Sequence, residues 1–347
     1  MSVEHLVHTL RAQGRFCAAS GSAMYGDLFE LVATDVAGDG VFATILSGHR
    51  DAPSRDAVPL RLLGGLHRLV LDGRAARLRR WYPSTGGSWD PTSAWPQIRD
   101  TAAGHADALR TALDQPPQTN EVGRSAALIG GLLRINEFDL PIRLFEIGSS
   151  AGLNLRADHY RYRFAGGQWG PADSPVTIDD AWRGTLPPGR GVWIVERRGC
   201  DIAPIDVGCA DGETTVLSYV WPDQGARLAR LRGAIEVARR VPARLERQTA
   251  ASALAGVALA DGALTVVWHS ITWQYLSTAE RDAVRAQLAR LAALADSRSP
   301  FAHLTMEPAR DGPGAPIRFT VCARSWPNGD SRVLGECHPH GPPVHWQ

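Results

Sequence analysis

The strongest chemical signal in the chain is a carboxylate two residues ahead of a glycine turn. Residues 143–164 read RLFEIGSSAGLNLRADHYRYRF. An apolar run enters Glu146-Ile147-Gly148-Ser149-Ser150-Ala151-Gly152 and continues into Leu153-Asn154-Leu155. Glycines at the end of a buried strand let the backbone turn sharply and let a ligand approach bare main chain. The loop is G-x-x-x-G, with Ser150 standing where the dinucleotide fingerprint G-x-G-x-x-G has its second glycine. Glu146 would repel a pyrophosphate, but it suits a ligand carrying a sulfonium and an α-ammonium group. The pattern therefore favours S-adenosylmethionine over NAD, with Glu146, Gly148, Ser149, Ser150, Gly152 and Asn154 as cofactor contacts. A plain strand–helix turn is the structural alternative.

A second acid is expected at the end of the next strand, where it can accept bonds from ribose hydroxyls. Glu196 closes VWIVE and Asp201 follows in ERRGCD. Glu196 lies 44 residues past Gly152, about twice the usual ~20, and a salt bridge to Arg197 or Arg198 is the plain alternative for it. The third group is VVWHSITWQYLS, residues 266–277. His269, Ser270, Thr272 and Gln274 sit just past a buried strand, where open α/β sheets place ligands. His269 is the candidate general base, because a neutral imidazole can take a proton from an acceptor hydroxyl or amine. Its competing role is a turn residue bonded to backbone. In QTNEVGR, residues 118–124, Thr119 or Asn120 can cap the helix that follows.

The elements that must position these groups alternate. Residues 143–147, 192–196, 214–220 and 264–268 read as buried strands, with a shorter one at 303–306. Residues 121–136, 226–241 and 278–295 read as amphipathic helices. Such alternation predicts a mostly parallel sheet covered on both faces. Ile317–Cys322, the Pro-Asn-Gly-Asp turn at 327–330 and Arg332–Cys337 predict a closing β-hairpin. Residues 1–113 read as a helical cap. Leu62, Leu63, Leu66, Leu69 and Val70 are at helical spacing in a helix ended by Pro83 and Gly86-Gly87, and a second helix runs over Ile98–Leu113. The Asp-Gln-Pro-Pro break at 114–117 separates the cap from a core over 114–347, which carries an inserted segment near 160–190.

Composition excludes several classes. All 37 basic residues of the 347 are arginine, so no P-loop lysine and no lysine Schiff base is available. A net charge of +1 offers no electrostatic case for nucleic acid or an acidic membrane. The five cysteines form no C-x-x-C pair, and His338, His340 and His345 lack carboxylate or thiolate partners at ligand spacing. No metal is expected. The N-terminus has no apolar signal-peptide core, and the most apolar stretch, 250–268, is broken by Asp261-Gly262. A reducing, cytoplasmic setting is the expectation.

PLRLLGGLHRLVLDG (59–73), WYPSTGG (81–87), QTNEVGR (118–124), FEIGSSAGLNL (145–155), YRY (160–162), ERRGCDIAPID (196–206) and VWPDQGARLARL (220–231) together resemble the bacterial domain-of-unknown-function 2332 family over nearly the whole chain. The resemblance implies that the N-terminal helices form one unit with the core, and it adds Asn120, Glu121 and Arg124 as substrate-side candidates. From about residue 121 onward the E-x-G-x-x-x-G loop and terminal hairpin also resemble class I S-adenosylmethionine-dependent methyltransferases. That likeness implies a Rossmann-like, methyltransferase-type sheet and methyl transfer to a small molecule. A binding or regulatory protein that keeps the fold without catalysis is the rival expectation. The long gap before Glu196 departs from the methyltransferase pattern.

Overall fold

The computed structural model describes residues 3–53, 56–310, 312 and 314–347. The chain forms two compact units, Met1–Thr119 with Cys209–Ala229, and Asn120–Gly208 with Arg230–Gln347. Elements are numbered in chain order.

The first unit is helical: α1 (Val3–Ala19), α2 (Ala23–Ala37), α3 (Val41–Ile45), α4 (Val58–Leu71), α5 (Pro91–Gly104), α6 (Ala106–Leu113) and α8 (Ala210–Ser218). Leu62, Leu63, Leu66, Leu69 and Val70 make the buried stripe of α4, as their spacing requires. The helix stops at Leu71 rather than at Pro83, because Asp72 and Gly73 (φ +83°) leave helical geometry. The expected single helix over 98–113 is two, broken at His105.

Residues 214–220, expected as a strand, fall mostly within α8. Cys209 accepts the Gly212 amide, Asp211 and Glu213 occupy the first turn, and Gly212 and Val216 lie one turn apart on the buried side. Negative charge at a helix N-terminus is stabilising, and burial overrides the β preference of the Thr-Thr-Val run. Arg68 of α4 holds Asp211 and Thr215. Asp223 accepts from the Ser22 hydroxyl at 2.6 Å and the Met24 amide at 3.0 Å.

Trp221 belongs to the same apolar core as Leu28, Phe29 and Leu66. A fragment starting at residue 114 strips that core from Cys209–Ala229. It is expected to aggregate, whereas sedimentation showing a monomer with a cooperative melt would contradict this assignment.

The second unit is an α/β sheet. Its strands are β1 (Ile142–Ile147), β2 (Arg161–Phe164), β3 (Gly167–Trp169), β4 (Thr177–Ile178), β5 (Trp182–Gly184), β6 (Ile194–Asp201), β7 (Arg244–Arg247), β8 (Leu264–Ser270), β9 (Phe301–Ala309), β10 (Arg318–Trp326), β11 (Asp330–His338) and β12 (Gly341–Trp346). Among the described residues, nine strands form one mostly parallel sheet in the order β5-β12-β11-β10-β9-β8-β1-β6-β7. The run β7-β6-β1-β8-β9 is parallel throughout. Written in chain order it is 3-2-1-4-5, which reverses direction between β1 and β8. The expected closing hairpin is β10–β11, and it lies within a longer antiparallel run, β9 to β12. The segment near 160–190 is a small sheet, β3-β2-β4, followed by β5, which joins the large sheet beside β12.

Helices cover both faces. On one face α7 (Ser125–Ile135) and the 3-10 turns Leu153–His159 contact each other and the sheet; on the other lie α10 (Ala250–Ala255) and α11 (Thr278–Leu294). Phe145, Ile147, Cys200, Val267 and Phe301 pack with Leu254 and Leu288 on the α10–α11 side. Strand alternation sends Leu144, Glu146 and Trp268 to the α7 side.

Candidate functional site

The carboxyl ends of β1, β6 and β8 bring most of the expected residues together. Gly148 (φ +67°) and Gly152 (φ +65°) occupy the left-handed region that the turn requires, and Ser150 enters it too (φ +50°). A non-glycine residue there is strained, and Asp201 holds it: one carboxylate oxygen accepts the Ser150 amide and the other the Ala203 amide, both at 2.9 Å. Asn120 accepts the Leu153 amide at 2.8 Å, so it anchors the turns after the glycine loop rather than the helix at 125. Glu121 accepts the Gly123 amide. Arg124 donates to the carbonyls of Ser270 (3.2 Å) and Pro339 (3.1 Å). Thr272 donates to the Ile147 and Ser270 carbonyls, tying the β1 and β8 ends together.

Glu146 sits in the middle of this arrangement and is 4% exposed. Burial pushes its carboxyl up from 4.5 to about 8, against the opposing pull of the Asn154 and Trp268 side chains and the Arg156 and Arg124 charges. Its Oε2, the Ser149 hydroxyl and the Asn154 carbonyl oxygen are buried and have no hydrogen-bond partner. The Trp268 indole lies close enough to favour the charged carboxylate without completing a hydrogen bond through Nε1. Buried polar atoms are nearly always satisfied, so three orphaned acceptors around one turn call for a physical reason.

The glycine faces are not open. A Cβ on Gly148 would lie 2.5 Å from Thr272, and one on Gly152 would lie 2.6 Å from Leu245 and 3.1 Å from Arg156. The chain's own side chains fill the positions where bare backbone was expected to meet a ligand. The unsatisfied polar atoms of the turn belong to Glu146, Ser149 and Asn154.

Two expected residues stand apart from this arrangement. Glu196 is the third residue of the eight-residue β6, not its end. Its carboxylate meets Arg143 of β1 at 2.6 Å, within a ladder that continues through Arg198 and Glu246 to Arg244. The acid at the carboxyl end of β6 is Asp201. Gln274 lies in the 3-10 turn Trp273–Tyr275, where its backbone carbonyl accepts from Arg281.

His269 is 3% exposed and lies on the side of the sheet away from Glu146. Its Nδ1 is 2.7 Å from Glu307 and its Nε2 is 3.1 Å from His303 Nε2. Both contacts are satisfied when His269 Nδ1–H donates to the carboxylate and Nε2 accepts from His303. Burial, His269 and Arg324 hold His303 well below the usual imidazole range, in its neutral form. Glu307 also accepts the Thr272 amide at 3.0 Å and the Trp273 amide at 3.3 Å. Neither ring nitrogen of His269 is left for a substrate.

Sequence reasoning missed Glu307, His303 and Arg156. The signal for the first two is an imidazole and a carboxylate four residues apart, His303 and Glu307, on one face of β9 beside His269 one strand over.

Among the described residues no group of three His, Cys, Asp or Glu side chains could hold a metal, and no helix is long and apolar enough to cross a membrane. No curated protein and no solved structure matches the chain. Residues 7–346 match the profile of the family described as "Uncharacterized protein conserved in bacteria (DUF2332)". With nearly its whole length matched, the chain belongs to the DUF2332 family.

Proposed function

We propose that the second unit has a class I methyltransferase-type fold, binds S-adenosylmethionine at the Glu146 end of the glycine turn, and transfers its methyl group to a small molecule. The observation that carries this reading is the set of orphaned acceptors at the switch point. Glu146 Oε2, Ser149 Oγ and the Asn154 carbonyl suit a cation with several N–H bonds to donate, and a sulfonium is stabilised by the same carboxylate. The sheet order adds to it, since doubly wound sheets bind ligands where the strand order reverses. Bound there, S-adenosylmethionine would supply an already activated methyl carbon. The chain's part would be to orient the acceptor and exclude water. Asp201, at the end of β6, would be the acid to accept from ribose hydroxyls, in preference to Glu196.

The rival reading, ligand binding without catalysis, draws on one specific observation: His269 has both ring nitrogens engaged. Titration with S-adenosylmethionine, S-adenosylhomocysteine and NAD separates the readings. S-adenosylhomocysteine at ~100 times its Kd should stabilise the fold by about 2.7 kcal/mol, while NAD should leave the melt unchanged. No shift at millimolar S-adenosylhomocysteine would remove the cofactor from the account. Binding without turnover of any acceptor would favour the rival.

A further inference from the structure

We infer that a cavity beside the glycine turn binds a small carboxylic acid with an apolar tail. This site is independent of the cofactor reading, and either can fail alone. The cavity measures about 370 Å³, within the range of small-molecule sites. Ile205, Val207 and Leu245 form the apolar part of its wall, the remainder of which is polar, and Arg156, Arg239 and Asp206 are its charged residues.

Arg156 makes the cavity more than a packing defect. The residue is 5% exposed. Its Nη1 donates to the Gly152 carbonyl at 2.6 Å and weakly to that of Ala151, and its Nε donates to the Val241 carbonyl at 3.0 Å. All of these partners are main-chain carbonyls, and among the described residues no carboxylate lies within ion-pair distance. A buried cation without a counter-charge is costly. Glu146, the acid whose charge Arg156 feels, is held largely protonated at neutral pH and offsets little. Asp206 is exposed, and its Oδ1 accepts the Gly208 amide at 2.8 Å.

Among the described residues Nη2 makes no hydrogen bond, so Arg156 keeps the N–H bonds of Nη2 for an anion while Nη1 and Nε hold the side chain in place. The N–H bonds of Nη2 can donate to a carboxylate oxygen in a charge-assisted hydrogen bond. Asp206 on the same wall repels a phosphate dianion more strongly than a monoanion. The ligand is therefore a monoanion whose carbon chain lies along the apolar part of the wall.

Calorimetric titration of the full chain with propanoate through octanoate, hexanol, hexylamine and inorganic phosphate tests this. Hexanoate should bind, and affinity should rise about fourfold per added methylene until the cavity is full. Hexanol, hexylamine and phosphate should bind at least tenfold more weakly. Arg156→Gln should lower hexanoate affinity at least tenfold. Ala238→Phe fills the cavity from its wall and leaves Arg156 in place, so it should abolish binding while circular dichroism shows a native fold. If Arg156→Gln does not fold, Ala238→Phe decides. Equal binding of hexanol or phosphate, no binding of any carboxylate, or full affinity in folded Ala238→Phe would each overturn the site.

Discussion

Glu146→Gln is expected to stabilise the protein, and to do so more as the pH rises. The folded-state carboxyl value of about 8 lies above the ordinary 4.5, so the unfolded chain releases this proton first. Native stability is then lost progressively as pH climbs from about 4.5 to about 8, and the penalty is constant above that. Gln mimics the protonated side chain and removes the dependence. The difference between variant and wild type should be near zero at pH 4.5 and grow by about 1.4 kcal/mol per pH unit. It reaches roughly 4–5 kcal/mol near pH 8. Urea denaturation of both proteins between pH 5 and 8.5 measures it. Parallel curves would mean that Glu146 ionises normally and is not a strained acceptor.

His269→Ala has the second large effect, and it falls on stability rather than on chemistry. From sequence the residue is a candidate general base whose removal would cost 10²–10⁴-fold in turnover. In the structure it is the middle of a Glu307–His269–His303 chain, stacked on Trp273 with ring centroids 5.5 Å apart. Truncation leaves the Glu307 carboxylate, 17% exposed as a side chain, without its imidazole partner. Losing one member of a buried polar pair costs about 2–4 kcal/mol. The melting temperature should drop by several degrees while ligand affinity per folded molecule stays within a factor of two. A stable variant with lost activity would restore His269 to the reaction.

The parallel strands were legible because buried strands carry unbroken apolar runs: 143–147, 192–196 and 264–268 lie on or overlap β1, β6 and β8. The glycine turn was legible for the same reason, being the sharp exit from such a run. Thr214–Val220 misled because a β-branched run says nothing about the Arg68, Asp211 and Cys209 contacts that hold it helical. Glu196 misled through its position. VWIVE reads as a finished strand, but β6 continues through Arg197 and Arg198, whose charges are matched by Asp158 on one face and Glu246 on the other. Charged residues inside a strand mask its length when their partners are distant in sequence. The histidine–glutamate chain and Arg156 were invisible for a related reason: each depends on a contact across strands or turns that spacing does not encode.

Proton release on cofactor binding is the most direct measurement. A cation seated against Glu146 requires the ionised carboxylate, and at pH 7 a group titrating near 8 is about nine-tenths protonated. Calorimetry of S-adenosylmethionine binding at pH 7, repeated in buffers of different ionisation enthalpy, should therefore show close to one proton released by the wild-type protein. Glu146→Gln should show none, together with weaker binding. Binding with no proton released, or unchanged affinity in Glu146→Gln, would contradict a cation held at Glu146.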